Sequence, residues 1–119
     1  MDFFYYPKCS TCRKALKWLD EAGASVNRVH IVETPPDAAR LRELWERSGL
    51  ELQRFFNTSG QSYRQGGFKT RLPEMSDEEK LAALAADGKL IKRPLLDTGA
   101  KVLVGFKEAD YAATLRDDR

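Results

Sequence analysis

The sequence predicts an α/β fold in which a β-α-β unit and a β-β-α unit share one four-stranded mixed sheet. Residues 3–6 form a β-type run that leads directly into an amphipathic helix at about 10–22 and then a second strand at 25–32. Two strands joined through a helix are expected to lie parallel, with a right-handed crossover. Near the other end of the chain, an apolar stretch at 95–105 is interrupted by a turn signal, which indicates a β-hairpin before a last helix at 108–115.

The first helix follows from its hydrophobic pattern. Its apolar residues recur at spacings of three and four and build one stripe from Ala15, Leu16, Leu19 and Ala22. Gly23 is expected to end the helix, because glycine readily adopts the left-handed conformation that follows a last helical turn. The helix is therefore predicted to bury one face against the sheet.

A helical insertion at about 37–88 is predicted to separate the two units. Two prolines open a helix at about 37–47, because proline is tolerated in a first helical turn. Ser76 and Glu79 form a capping-box pattern that begins another helix. Without the insertion, the element order is that of thioredoxins and glutaredoxins. No linker or repeat divides the chain, so we expect one domain over residues 1–119.

Two segments show weaker sequence signals for secondary structure. Residues 57–73 interleave aromatic and basic side chains, namely Tyr63, Arg64, Phe68, Lys69 and Arg71. Such interleaving is typical of surfaces that bind single-stranded nucleic acid. A loop or short helix whose aromatic rings pack inward explains it equally well, and the small net charge favours this second interpretation. The last residues, 116–119, are expected to fray.

The composition is that of an ordinary globular protein, with 42% hydrophobic and 32% charged residues and a net charge of +2. A nearly balanced charge argues against a general nucleic-acid-binding role. No apolar run approaches the roughly 20 residues that a membrane span needs. The N-terminus also lacks the pattern of a secretory leader. We therefore expect a cytoplasmic protein with neither a membrane nor a nucleic acid as its direct partner.

Both cysteines of the chain, Cys9 and Cys12, lie where the first strand gives way to the first helix. At or beside the N-cap, the Cys9 sulfur faces the free amide groups and the positive dipole end of the helix. Cysteines in such sites have pKa values of about 3.5 to 7.5, against about 8.5 for free cysteine. Lys8, Arg13 and Lys14 add positive charge. Cys12 is close enough to close a disulfide, so the motif indicates a redox-active dithiol.

Two other interpretations of this CxxC motif remain open. A structural zinc ion would need four ligands, and His30 is the one other soft ligand that the sequence offers, so no metal is expected. The two cysteines could also be incidental residues at a helix start. The position of the motif at a strand-to-helix junction favours the redox interpretation, as in thioredoxin-like sites.

Arg93 and Pro94 form a second candidate constellation. Proline is restricted to an edge or to the first residue of a strand, so Pro94 is expected to start the strand that lies beside the first strand, near Cys9. A cis bond between the two residues would turn the arginine side chain toward the cysteine. A guanidinium there suits a thiolate, a sulfenate or a bound oxyanion. The alternative is a surface arginine before a trans proline.

Several motifs together resemble the ArsC family, and more narrowly its Spx/MgsR-like branch. They are Tyr6 to Ala15, Glu33 to Pro36, Phe55 to Gly60, Lys92 to Leu95 and Val104 to Phe106. The likeness covers nearly the whole chain, and this combination is far more specific than CxxC alone. The resemblance implies a thioredoxin fold with a helical insertion, a bacterial cytosolic setting and a cis proline at Pro94.

Arsenate-reductase members of that family suggest one set of roles. Cys9 matches the cysteine that attacks arsenate, and the resulting adduct is resolved by glutathione and glutaredoxin. Arg93 matches one of three arginines that surround the oxyanion. Asn57 and the pair Val104-Gly105 stand where the other two arginines are expected. One arginine instead of three implies a weak oxyanion pocket, because bidentate guanidinium contacts supply much of that recognition.

Spx-like members of the family suggest a second set of roles for these residues. Cys12 is absent from the reductases and matches the second cysteine of the Spx-type redox switch. Regulators of that type bind the C-terminal domain of the RNA polymerase α subunit through a surface that includes a glycine. Gly49 lies near the corresponding position, although a glycine that ends a helix also has a local reason to be there.

The favoured hypothesis is an enzyme, a thiol-disulfide oxidoreductase or arsenate-reductase-like protein with Cys9 as nucleophile, Cys12 as resolving cysteine and Arg93 stabilising negative charge. The candidate substrate-positioning residues are Lys8, Ser10, Thr11, Asn57 and Pro94. No bound cofactor is expected, and glutathione with glutaredoxin, or thioredoxin, would be the external reductant and redox partner. The substrate would be a small oxyanion or a protein disulfide. The alternative is an Spx-like regulator that binds the RNA polymerase α subunit.

Overall fold

The computed structural model describes residues 1–117 and contains one mixed four-stranded sheet. The strands are β1 Asp2–Tyr5, β2 Asn27–His30, β3 Leu95–Asp97 and β4 Val102–Val104. Their order across the sheet is β2-β1-β3-β4, with β1 and β2 parallel and the other two pairs antiparallel. This is the thioredoxin-like arrangement, so the predicted fold class is confirmed.

Helices cover the sheet and fill the predicted insertion. The α-helices of the described residues are α1 Ser10–Glu21, α2 Ala38–Ser48, α3 Gln61–Gln65, α4 Phe68–Arg71, α5 Asp77–Ala86 and α6 Glu108–Asp117. Short 3-10 turns occupy Leu52–Phe55, Leu72–Glu74 and Gly88–Leu90. All elements from α2 to the third turn lie between β2 and β3. Within residues 1–117, none of these helices combines the length and the apolar character that crossing a bilayer requires.

Element boundaries differ most from the prediction in two places, and β1, α1 and α2 differ by one residue. Strand β2 is shorter than the predicted 25–32, because the chain turns after His30 and the amide of Thr34 donates to the His30 carbonyl at 2.8 Å. Helix α6 continues to Asp117, two residues beyond the predicted end at 115. Residues 118 and 119 lie outside the described residues, and the expectation of a frayed end stays a prediction there. Elsewhere the sequence signals hold, and both hydrogen bonds of the Ser76–Glu79 capping box are present.

The sheet separates two apolar cores, because successive side chains of a strand point to opposite faces. Phe3 and Leu96 belong to the core that α1 and α6 cover, together with Leu19 and Tyr111. Phe4 belongs to the larger core under α2, α5 and the insertion. The neighbours β1 and β3 are therefore buried on both faces, and the segments that extend from their ends are held firmly.

The aromatic residues of the insertion pack inward, which agrees with the second interpretation of residues 57–73. Phe68 is buried and its ring centroid lies 5.7 Å from that of Phe56. Tyr63 stacks on Phe68 at 6.1 Å with an interplanar angle of 27°. The guanidinium of Arg71 lies 4.6 Å from the centroid of the Phe68 ring. Two stacked rings and a cation therefore form one layer of the insertion.

Candidate active site

Cys9 is held at the start of α1 by a tight turn. Strand β1 ends at Tyr5, and the amide of Cys9 donates to the carbonyl of Tyr6 at 2.9 Å. This turn makes Cys9 the N-cap residue, with extended backbone angles of φ −93° and ψ 118°. Its Sγ accepts a hydrogen bond from the amide of Cys12 at 3.4 Å. The sulfur therefore takes the place in which a serine or aspartate oxygen normally caps a helix.

The pKa of Cys9 is lowered from its ordinary value. Partial burial by itself would raise the pKa, because it disfavours the charged form. Hydrogen bonds from the Cys12 amide and thiol, the charge of Arg93 and the amide of Thr11 outweigh that effect. The sulfur is also half-buried rather than enclosed. Of the two thiols, Cys9 is therefore the one whose pKa is lowered, and it lies at the N-cap position that the sequence predicted.

The thiol of Cys12 differs from that of Cys9 in its burial and in the direction of its pKa shift. Its side chain is fully buried, and burial raises the pKa of its thiol to about 12. Proximity to the Cys9 sulfur adds to this rise, and Arg93 opposes it. Both cysteines are reduced in this structure. The two thiols thus differ in exposure and in acidity, although they lie one helical turn apart.

Arg93 and Pro94 lie beside this pair. The bond between them is cis, as the family resemblance implied, and Pro94 is buried immediately before β3. The Arg93 guanidinium lies 4.9 Å from the centroid of the Tyr6 ring, and its Nη1 donates to the carbonyl of Lys89 at 3.2 Å. Its charge acts on both cysteines. The arginine is therefore oriented by neutral partners, which leaves its charge free for an anion.

Backbone hydrogen bonds fix the segment around Pro94. On one side, the amide of Lys92 donates to the carbonyl of Phe55 at 2.7 Å. On the other side, the amide of Gly105 donates to the carbonyl of Pro94 at 2.8 Å, and the carbonyl of Gly105 accepts from the hydroxyl of Tyr111 at 2.9 Å. Tyr111 is buried, and burial together with the nearby Cys12 raises its pKa. Tyr111 lies in the last helix, and the sequence gave no signal for this role.

A cleft of about 320 Å³ opens next to Arg93. Its walls include Tyr6, Asn57, Gly60, Gln61, Ser62, Gln65, Lys89 and Arg93. Asn57 is brought there by the pairing of Phe56 with Ile91, in which the Asn57 amide donates to the carbonyl of Leu90 at 2.8 Å. Lys89 and the amide side chains of α3 were not predicted, because an isolated residue in a turn leaves no periodic pattern. The cleft contains a single guanidinium, and most of its other polar groups are neutral.

The remaining predicted positioning residues lie outside this cleft. Lys8, Ser10 and Thr11 are exposed around the first turn of α1, and of these three it is Thr11 that assists Cys9, through its backbone amide. The part of the chain that the structure describes holds no group of three or more His, Cys, Asp or Glu residues arranged to bind a metal ion.

Gly49 lies apart from the two cysteines. It ends α2 with a left-handed φ of 68° and is exposed. Arg47, two residues earlier, binds Asp97 and the carbonyl of Gly99, at the end of β3 opposite to Pro94. The structure therefore places the Arg93 charge close enough to act on both cysteines and places Asn57 with Arg93 in one cleft, and it leaves Gly49 on another surface.

Known proteins resemble the chain over nearly its whole length. The ArsC family matches residues 4–114. Uncharacterized protein YusI of Bacillus subtilis is 54% identical over 93% of this chain and 94% of its own. An arsenate reductase of Neisseria meningitidis serogroup B is 30% identical over 94% of this chain and 95% of its own. Regulatory protein MgsR of Bacillus subtilis is 24% identical over 92% of this chain and 86% of its own.

A solved structure gives the same assignment. A putative ArsC family related protein from Bacteroides fragilis is 44% identical and superposes with a TM-score of 0.92, covering 94% of each chain. The sheet, the insertion and the helices described above are thus shared with a close structural neighbour. The chain belongs to the ArsC family.

Proposed function

We propose that this protein is a thiol-disulfide oxidoreductase of the ArsC family that works through the dithiol of Cys9 and Cys12. The observation that carries the proposal is the difference between the two thiols. Cys9 is half-buried, caps α1 and has a lowered pKa, whereas Cys12 is buried with a raised pKa. The thiolate is the attacking species, so the thiol with the lowered pKa attacks, and a protonated neighbour stays unreactive until a mixed disulfide forms.

The reaction transfers two electrons from the dithiol to a substrate disulfide. The Cys9 thiolate attacks one sulfur of the substrate, which forms a mixed disulfide and releases the other substrate sulfur as a thiolate. Cys12 then loses its proton and attacks the Cys9 sulfur, which releases the second substrate thiol. The protein is left with a Cys9–Cys12 disulfide. An external dithiol, such as thioredoxin, or glutathione with glutaredoxin, reduces that disulfide again.

Arg93 would stabilise negative charge on Cys9 and on the departing sulfur. The same cleft offers an oxyanion one guanidinium, with Lys89 as a second cation and Asn57 as a neutral donor. Arsenate recognition depends on several charge-assisted hydrogen bonds. We therefore expect disulfide substrates to be reduced faster than arsenate. The similarity to arsenate reductases supports thiol chemistry at Cys9, and the substrate itself is part of the proposal.

A steady-state assay tests this proposal. Arsenate and a disulfide substrate are each offered with thioredoxin and with glutathione plus glutaredoxin as the reductant. We expect turnover of the disulfide, no turnover by Cys9→Ser, and a trapped mixed disulfide at Cys9 in Cys12→Ser, detected by mass spectrometry. Arg93→Gln is expected to lose about tenfold in rate at neutral pH, because it removes a charge that favours the thiolate.

The exposed neighbour Lys92 supplies the matched control. Lys92→Gln removes one positive charge beside Arg93 without touching the cleft, and we expect its rate to stay within about twofold of the wild type. Activity that survives in Cys9→Ser would disprove the mechanism. Arsenate turnover faster than disulfide turnover would reverse the substrate assignment.

A second candidate function is a redox-sensing regulator that binds the C-terminal domain of the RNA polymerase α subunit. The similarity to regulatory protein MgsR favours it, together with an exposed glycine at position 49. Pull-down of that domain under reducing and oxidising conditions tests this function. Gly49→Arg should abolish the binding, whereas Gly23→Arg, at another exposed left-handed glycine that ends a helix, should not. Absence of binding in both redox states would eliminate the regulator.

A further inference from the structure

A second cavity lies on the helical insertion, away from the two cysteines. Its volume is about 470 Å³, which is within the usual range of small-molecule sites. Its walls include Arg54, Tyr63 of α3, Lys69 of α4, Leu72 and Lys80 of α5. None of these residues belongs to the redox site described above. The cavity is therefore a separate feature that thiol chemistry does not explain.

Its charge is of one sign. Arg54, Lys69 and Lys80 line the cavity, and no aspartate or glutamate does. Within residues 1–117, none of these three side chains has a carboxylate within ion-pair distance, although arginines elsewhere on the surface are paired, such as Arg28 with Asp20. Like charges repel one another unless an anion lies between them. Three unpaired cations around one cavity therefore point to an anionic ligand.

The apolar part of the cavity is flat and rigidly supported. Tyr63 stacks on the buried Phe68, which in turn packs against Phe56. Leu72 packs against the same core, and Pro73 adjoins it in the wall. An aromatic ring that is supported from behind offers a surface on which a planar group can stack. The cavity thus combines an aromatic and aliphatic surface with a set of cations.

We propose that this cavity binds a purine nucleoside diphosphate, with the base against Tyr63 and Leu72 and the phosphates among Arg54, Lys69 and Lys80. A diphosphate carries enough negative charge to meet three cations, and arginine and lysine are the side chains that bind phosphate in proteins. Stacking of a base on an aromatic side chain adds to the affinity and depends little on which base is present. A single nucleotide fits the volume, whereas a longer strand would extend beyond the three cations.

The proposed nucleotide cavity adjoins the cleft beside Arg93, and the short helix α3 lies between the two. Tyr63 of α3 lines the nucleotide cavity, while Gln61, Ser62 and Gln65 of the same helix line the cleft beside Arg93. Residues on opposite sides of a five-residue helix cannot move independently. A bound nucleotide is therefore expected to alter the amide resonances of α3 on both of its sides.

Calorimetry and two-dimensional NMR of the full chain test the proposal, with ADP, adenosine and pyrophosphate as probes. We expect ADP to bind more tightly than either fragment and to shift the resonances of α3 and α4. Lys69→Gln combined with Lys80→Gln should weaken ADP binding at least tenfold. Lys14→Gln combined with Lys17→Gln removes the same charge from exposed positions of α1 and should leave the affinity within twofold.

Tyr63→Leu tests the contribution of the base to binding separately from that of the phosphates. It should weaken ADP binding at least fivefold and leave pyrophosphate binding unchanged, because it removes stacking and retains the cations. Equal affinities for pyrophosphate and ADP would overturn the nucleotide assignment in favour of a plain anion site. Tighter binding of a single-stranded octanucleotide than of ADP would overturn it in favour of nucleic acid. The readout does not involve Cys9, so Cys9→Ser should bind ADP as the wild type does.

Discussion

At the scale of single residues, the chemistry depends on two thiols with unequal surroundings. At Cys9, amide hydrogen bonds and a nearby guanidinium outweigh partial burial, whereas at Cys12 burial and a sulfur neighbour outweigh the Tyr6 backbone hydrogen bond and the charge of Arg93. Backbone amides at a helix start point outward along the axis, so they stabilise an anion at the N-cap and not at a residue one turn further on. In the proposed mechanism, one helical turn therefore separates the nucleophile Cys9 from the resolving Cys12.

The reactivity of Cys9 should depend on pH through Arg93. Because the pKa of Cys9 is lowered, its thiolate persists as the pH falls below the ordinary cysteine value, and alkylation by iodoacetamide should remain fast there. Arg93→Gln removes one stabilising charge, so the midpoint of the rate-against-pH curve should move to higher pH. Stopped-flow alkylation of the Cys12→Ser variant, with and without Arg93→Gln, measures this shift. An unchanged midpoint would show that the arginine does not act on the sulfur.

At the scale of elements, Asp97 joins α2 to the sheet. The carboxylate lies at the end of β3 and is 5% exposed. It accepts from Arg40 at 2.8 Å, from Arg47 at 2.7 and 3.0 Å, and from the amide of Gly99 at 2.9 Å. Burial alone would raise the pKa of Asp97, and these hydrogen bonds lower it below its ordinary value. The ionised carboxylate is thus the point at which the helix is attached to β3.

Asp97→Asn should destabilise the fold by about 3 kcal/mol at neutral pH, because it removes the buried anion that Arg40 and Arg47 share and leaves Arg47 without a carboxylate partner among the described residues. The pKa of Asp97 is lower in the folded state, so the wild type loses this stabilisation as the pH falls below about 4. The difference in unfolding free energy between the wild type and Asp97→Asn should therefore become smaller in acid. Urea unfolding at several pH values measures the difference, and Glu43→Gln, which removes an exposed partner of Arg40, is the control. A difference that does not vary with pH would argue against the charge as its cause.

Gly88 holds α5 close to the end of β2. A Cβ at this position would overlap the carbonyl oxygen of Ile31 and would lie 2.8 Å from the Cα of Val32. These atoms belong to the backbone and cannot rotate away as a side chain can. Glycine is needed here because two chain segments approach closely, and its backbone angle is not left-handed.

Gly88→Ala should therefore cost about 3 kcal/mol of unfolding free energy, as overpacking in a rigid environment does. Gly49→Ala is the matched comparison. It has no atom within 4 Å of an added Cβ but a left-handed φ of 68°, so it should cost about 1 kcal/mol from backbone strain alone. Chemical denaturation of both variants measures whether Gly88→Ala lowers the unfolding free energy more than Gly49→Ala does. Equal costs would show that the turn after α5 can move.

At the scale of the whole molecule, the sheet keeps the dithiol and Gly49 on different sides. Cys9 caps α1 and Cys12 belongs to it, and α1 covers the face of Phe3 and Leu96, whereas Gly49 ends α2 on the face of Phe4. No hydrogen bond of the described residues joins the first turn of α1 to the end of α2. An effect of the disulfide on a partner surface at Gly49 would have to cross the sheet.

Oxidation of the protein should accordingly perturb a limited region. We expect the amide resonances of β1, α1 and residues 91–95 to shift on formation of the Cys9–Cys12 disulfide, and those around Gly49 to stay in place. Two-dimensional NMR spectra of the reduced and oxidised protein provide the measurement. A shift at Gly49 comparable with those of α1 would favour the regulator over the enzyme.

The site was only partly predictable from the sequence. Cys9 and Cys12 were predictable because an N-cap position and a spacing of three residues are local properties. Arg93 and Pro94 were expected near them because a proline that starts a strand has few places in this topology. Lys89, Tyr111 and the amide side chains of α3 reach the same region through turns and long-range pairing, and no local pattern encodes such positions.

By itself, the sequence determined the order of strands and helices, the division into two units with an insertion, and the thiol that is ionised first. These properties depend on neighbours within a few positions, where periodicity and capping act. Only the tertiary structure decided which cations meet which anions, as with Asp97 between Arg40 and Arg47, and which cations share a cavity, as with Arg54, Lys69 and Lys80. The reason is that electrostatic and steric contacts depend on distances in space, and the packing of the two cores sets those distances.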